Sequence, residues 1–103
     1  MPDPMRIRAT SAGDKTTVKI LMSHEMETGQ RKGADGKPIP AWFIRTVTVS
    51  LNGKPVVMAE WGPAVSKNPF MQLLLSGGTK GDKVEVTWVD THGETRTDAA
   101  TVA

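Results

Sequence analysis

The sequence has no cysteine, no tyrosine and only two phenylalanines. Without cysteine, these residues hold no disulfide, no thiol nucleophile, no thiolate-bound metal and no iron–sulfur cluster. The cysteine count does not decide the compartment, because many exported proteins also lack disulfides. No apolar stretch approaches the ~20 residues a membrane helix needs, so no membrane span is expected. The first residues, Met1-Pro2-Asp3-Pro4-Met5-Arg6, lack a basic region followed by an apolar one and do not read as a signal peptide. Charge of one sign is not in excess either. Thirteen Lys and Arg against eleven Asp and Glu leave +2, too little to argue for nucleic acid. The basic residues (Arg6, Arg8, Lys15 and Lys19 among them) are spread along the chain, with no stripe of interleaved aromatics.

What is present is a series of short β-branched runs separated by glycine turns, with no sustained helical period. Strands are expected at Met5 to Thr10 and Lys15 to Ser23, with a turn at Ala12-Gly13-Asp14. In the second, Val18, Ile20 and Met22 share a face, and Leu21 breaks the alternation as if both faces were covered over part of its length. Trp42 to Leu51 alternates Val47, Val49 and Leu51 with Thr46, Thr48 and Ser50. Asn52-Gly53 then marks a two-residue hairpin into Pro55 to Glu60, where Pro55 implies an edge or a strand start. Trp61-Gly62-Pro63 ends that strand. Phe70 to Leu75, Lys83 to Asp90 and Glu94 to Val102 complete about seven strands. In Lys83 to Asp90, Val84, Val86 and Trp88 alternate with Lys83, Glu85 and Thr87. The spacing points to one domain, residues 1–103, folded as an immunoglobulin-like antiparallel β-sandwich. His24 to Pro40 is a long irregular segment in which Asp35-Gly36 suits a hairpin tip.

Each candidate for chemistry competes with a plainer reading. Met22, His24 and Met26 stand at alternate positions, so a strand continued this far would project two thioethers and an imidazole from one face. That donor set suits Cu(I); the plainer reading is packing, against the core or a partner. His24 and His92 are the only histidines, and no serine sits in a nucleophile elbow. Ser76 to Asp82 resembles a phosphate loop only faintly, because Asp82 follows Gly81 and a strand follows both. Asp82, Asp90, Glu94 and Asp98 read as polar patterning around turns and on an outward strand face. No cofactor is expected and no catalytic residue is assigned. Six methionines and three tryptophans exceed what one sandwich core needs. A partner surface is therefore expected from Met22, His24, Met26, Met58, Trp61, Phe70 and Met71.

The ordered pieces also resemble a known family. Val18-Lys19-Ile20-Leu21-Met22-Ser23-His24-Glu25-Met26-Glu27-Thr28-Gly29 is similar to a segment of SoxZ, a component of the bacterial sulfur-oxidation (Sox) system. So are Pro40-Ala41-Trp42-Phe43-Ile44, Leu51-Asn52-Gly53-Lys54-Pro55, Ser66-Lys67-Asn68-Pro69-Phe70, Gly81-Asp82-Lys83-Val84 and Trp88-Val89-Asp90. The resemblance spans Met5 to Val102. It implies an immunoglobulin-like fold and a heterodimer with SoxY, whose C-terminal cysteine carries thiosulfate-derived sulfur covalently to the other Sox enzymes in turn. It implies a non-catalytic, non-carrying subunit in the periplasm, exported together with SoxY. Contact with other Sox enzymes would be transient, and homo-oligomerisation of the isolated chain stays open. The rival reading is a periplasmic Cu(I)-binding sandwich using Met22, His24 and Met26.

Overall fold

Seven strands form in the computed structural model, which describes residues 3–62 and 65–103. They are β1 (Arg6–Ala12), β2 (Lys15–Leu21), β3 (Ile44–Leu51), β4 (Lys54–Glu60), β5 (Phe70–Ser76), β6 (Lys83–Asp90) and β7 (Thr95–Thr101). Pro63 of the expected strand stop, and Met1-Pro2, lie outside the described residues. All pairings are antiparallel, in a three-stranded sheet β1-β2-β5 and a four-stranded sheet β4-β3-β6-β7.

The hairpin turns set this order. Asn52 and Gly53 both have positive φ, at 52° and 83°, as a type I′ turn requires. Two residues cannot carry the chain to another sheet, so β4 must pair with β3. Immunoglobulin constant domains instead place the fourth strand in the sheet of the first, second and fifth. This sandwich is thus immunoglobulin-like with the fourth strand on the other side.

The core follows from strand parity. Val18 and Ile20 face Val47, Val49, Val84 and Val86 across the sandwich, all fully buried, and Trp88 joins them. Met22 continues the inward series after β2 has ended. Leu21 points outward and is exposed, so β2 is covered on one face only in the isolated chain. The inner face of β7 is partly polar: Arg96 donates two hydrogen bonds to Asp98, at 2.9 and 2.8 Å. Asp98 also accepts from the Met5 backbone at 2.9 Å, fastening β1 to β7. Ala103 bonds with Ala9 and Ser11 and lies along the free side of β1.

The basic residues that look scattered in the sequence are not scattered in space. The β1–β2 register pairs Arg6 with Leu21, Arg8 with Lys19 and Ala12 with Lys15. Arg6, Arg8, Lys15 and Lys19 therefore share the outer face of the three-stranded sheet, beside Phe70, which pairs with Leu21.

The expected phosphate-loop look-alike is a strand connection. Gly78 has a φ of +87°, and a Cβ there would overlap Thr16 Oγ1. Thr16 is fully buried and donates to the Gly77 carbonyl at 2.7 Å, so it cannot easily yield. Gly78→Ala combines left-handed strain with overpacking and is expected to cost about 2–4 kcal/mol. Urea unfolding monitored by circular dichroism measures this.

Candidate functional site

The most organised polar cluster lies where β6 runs out into its turn. Val84, Val86 and Trp88 point inward, so the same parity sends the Asp90 side chain inward, where it is fully buried. A buried carboxylate is tolerated only if its oxygens are saturated. Oδ1 accepts from the backbones of His92 (3.0 Å) and Glu94 (2.9 Å), the two amides of the β6–β7 turn. Oδ2 accepts from Trp42 Nε1 at 2.7 Å and from His24 Nε2 at 3.0 Å. Burial alone would raise the Asp90 pKa; the bonds from His24, Trp42, Glu94 and His92 outweigh it and hold the carboxyl below its ordinary value.

His24 comes from the segment after β2. Its backbone N–H bonds Asn68 Oδ1 at 3.0 Å, and Asn68 N–H returns to the His24 carbonyl at 2.9 Å. Its Nδ1 accepts the Met26 amide at 3.1 Å. With Nδ1 accepting, Nε2 carries the proton donated to Asp90. Aromatic contacts complete the cluster. Trp88 meets the His24 ring edge-on at 5.2 Å and Trp42 meets it tilted at 4.9 Å. The other side of Trp42 stacks flat on His92 at 4.9 Å. The Trp88 Nε1–H is buried with no partner among the described residues. Beside the cluster opens a cleft of about 220 Å³, rimmed by Ser23, Glu25, Asn68 and Glu94.

This arrangement fastens rather than reacts. A His–Asp pair acts as a general base only through the ring nitrogen opposite the carboxylate. Here that nitrogen is Nδ1, already occupied by Met26 N–H. What the pair does is anchor the long segment between β2 and β3 to the sandwich, together with the Glu27–Trp42 bridge at the segment's base. Farther out the segment makes a small hairpin tip, with Lys32 opposite Pro38 and the Asp35-Gly36 turn between them.

The copper arrangement does not form. β2 ends at Leu21, and Met26 has a φ of +51°, so the alternation of Met22, His24 and Met26 is not that of a strand. Both ring nitrogens of His24 are engaged, and Met26 Sδ accepts the Ile44 amide at 3.4 Å. Of the residues expected at a partner surface, Met22, His24 and Met26 are buried in the isolated chain, at 1%, 6% and 5% exposed. Trp61 and Met71 are half-buried and pack against the core. Met58 (70% exposed) and Phe70 (61%) do face solvent, but on the outer faces of different sheets. Asp90 corrects the sequence reading in the opposite sense, being a buried anchor and not part of a solvated patch. Its signal was the inward parity of β6.

The lowered pKa of Asp90 has a consequence for stability. A group with a depressed folded-state pKa stabilises fully above its unfolded value of ~3.9, and that stabilisation is lost as pH falls through the folded value. Asp98 adds to it in the same direction, lowered by the hydrogen bond from Arg96. Urea midpoints are therefore expected to hold steady from pH 7 to about 5 and to drop below about 4. Asp90→Asn should flatten that drop.

Fold and cluster together define an all-β sandwich in which a buried His24–Asp90 pair ties the segment after β2 to the β6–β7 turn. A family model described as "Sulphur oxidation protein SoxZ" matches residues 5–101, so the chain belongs to the SoxZ family. No curated protein matches this chain. Membership implies a role in the sulfur-oxidation system and a partnership within it.

Proposed function

We propose that this chain is the non-catalytic subunit of a heterodimeric sulfur-compound carrier in thiosulfate oxidation. It holds SoxY, whose C-terminal cysteine bears the covalent sulfur intermediates, and the pair works in the periplasm after export together. The match to the SoxZ family over residues 5–101 carries this reading. Three features agree with it. The 103 residues contain no thiol to bear sulfur. The His24–Asp90 pair has no free ring nitrogen for acid–base work. Leu21, Val56, Met58, Phe70, Leu74 and Val89 leave large apolar side chains in solvent, as a subunit separated from its partner does.

The test is co-expression of this chain, carrying an affinity tag, with untagged SoxY. The two are expected to leave the affinity column together and to stay together through size exclusion. Elution of the tagged chain alone, with SoxY folded and soluble, would refute the reading.

A further inference from the structure

The partner-holding role says nothing about which surface is used, and the two outer faces of the sandwich differ sharply. On the four-stranded sheet one outward row across all strands is Met58, Thr48, Thr87 and Thr97, and the rows beside it bring Glu60, Val89 and Glu85. Thr87 and Thr97 bond each other through their hydroxyls at 2.8 Å. That face also leaves Val56, Met58 and Val89 exposed, and its charges are of both signs, with Lys83 paired to Glu85 at 3.4 Å.

The outer face of the three-stranded sheet carries charge of one sign only. It gathers Arg6, Arg8, Lys15 and Lys19, all exposed. No acidic residue occupies an outward position of β1, β2 or β5. None of the four bases forms an ion pair among the described residues. Four positive charges thus stand on one face of a chain whose net charge is only +2. Among them lie Leu21, Phe70 and Leu74, exposed by 40%, 61% and 66%. Arg6, Arg8, Lys19, Leu21 and Phe70 enclose a shallow hollow of about 220 Å³. The adjoining strand β5 is an edge, paired only with β2.

Neighbouring strands are ~4.8 Å apart, so these cations repel one another until an acidic surface covers them. Apolar side chains set among them gain from burial at the same time. Arginine and aromatic residues are also the types enriched where proteins meet. A nucleic acid fits less well: single-strand binders stack successive bases on several aromatics, and here Phe70 is the single aromatic residue at an outward position of β1, β2 or β5.

We infer that the outer face of the three-stranded sheet, with its Arg6–Arg8–Lys15–Lys19 array around Leu21, Phe70 and Leu74, is the docking face for the protein partner. The facing surface carries acidic side chains around apolar ones. This rests on the partner-holding reading above. Charge steering makes the association fast and salt-sensitive, and the apolar centre holds it.

The experiment measures binding of the full chain to SoxY by surface plasmon resonance at about 50 and about 300 mM salt. Three proteins are compared: the unaltered chain, the Arg8→Glu/Lys19→Glu double variant, and a Thr48→Glu control on the opposite face. The unaltered chain is expected to lose affinity as salt rises. The double variant should bind at least about tenfold more weakly, largely through a slower on-rate, and the control within about twofold of the unaltered chain. Arg8→Gln/Lys19→Gln gives the same comparison should charge reversal disturb the sheet, as judged by circular dichroism. If the double variant binds SoxY as the unaltered chain does, the partner sits elsewhere; the inference fails and the partner-holding reading stands. If the unaltered chain does not bind SoxY at all, both fail. Binding of a single-stranded oligonucleotide that the double variant loses, with SoxY affinity unchanged, would give the face to nucleic acid and overturn the inference.

Discussion

Asp90→Ala is expected to lower the free energy of unfolding by about 3–5 kcal/mol, a large share of the ~5–15 kcal/mol that holds a domain this size folded. The carboxylate accepts four hydrogen bonds: from the His24 and Trp42 rings and from two backbone amides of the β6–β7 turn. Alanine leaves all four donors without an acceptor, and a buried donor stripped of its partner costs far more than an average hydrogen bond is worth. The loss should spread. His24 fixes the segment after β2, and Trp42 fixes the approach to β3, so the region between them should loosen as a unit. A drop in melting temperature of about 15–30 °C is expected. Hydrogen exchange should speed up at Met26 and Ile44 while the Val49 and Val86 amides follow global stability.

Trp88 carries the second large effect, and its two substitutions should differ in kind. Trp88→Ala empties the largest fully buried side chain, between Val47 and Arg96 on neighbouring strands. A cost of about 3–5 kcal/mol follows from lost burial and the remaining cavity. Trp88→Phe keeps an aromatic ring against His24. It also deletes an indole N–H that has no partner among the described residues, so no hydrogen bond seen in the structure is lost with it. Its cost should stay near about 1 kcal/mol, set by the smaller volume. Paired urea melts of the two variants give the comparison; equal losses would mean that the indole N–H is bonded after all.

Much of the fold was legible because local signals and strand parity agreed. Asn52-Gly53 forced the β3–β4 hairpin, and Val84, Val86 and Trp88 announced the buried face of β6. The ordered pieces from Met5 to Val102 pointed to the same family that the match over residues 5–101 shows. The site was less legible, for identifiable reasons. Asp90 is a charged residue beside a turn, a place where solvent is the usual answer. Only by continuing the parity of β6 one step further does its side chain turn inward. Met22 and His24 keep the inward alternation past the end of β2, but Met26 takes a left-handed backbone, so the three do not stand on one strand face. The basic face was hidden because its members belong to two strands. Once Gly13-Asp14 is taken as the turn, the register Arg6 to Leu21 and Arg8 to Lys19 follows, and the charges fall on one side.

Native mass spectrometry of the chain mixed with SoxY and thiosulfate-derived sulfur donors tests the central claim most directly. A one-to-one complex is expected which, on denaturation, carries every covalent sulfur adduct on SoxY and none on this chain. An adduct on this chain, or two separate proteins in the native spectrum, would contradict it.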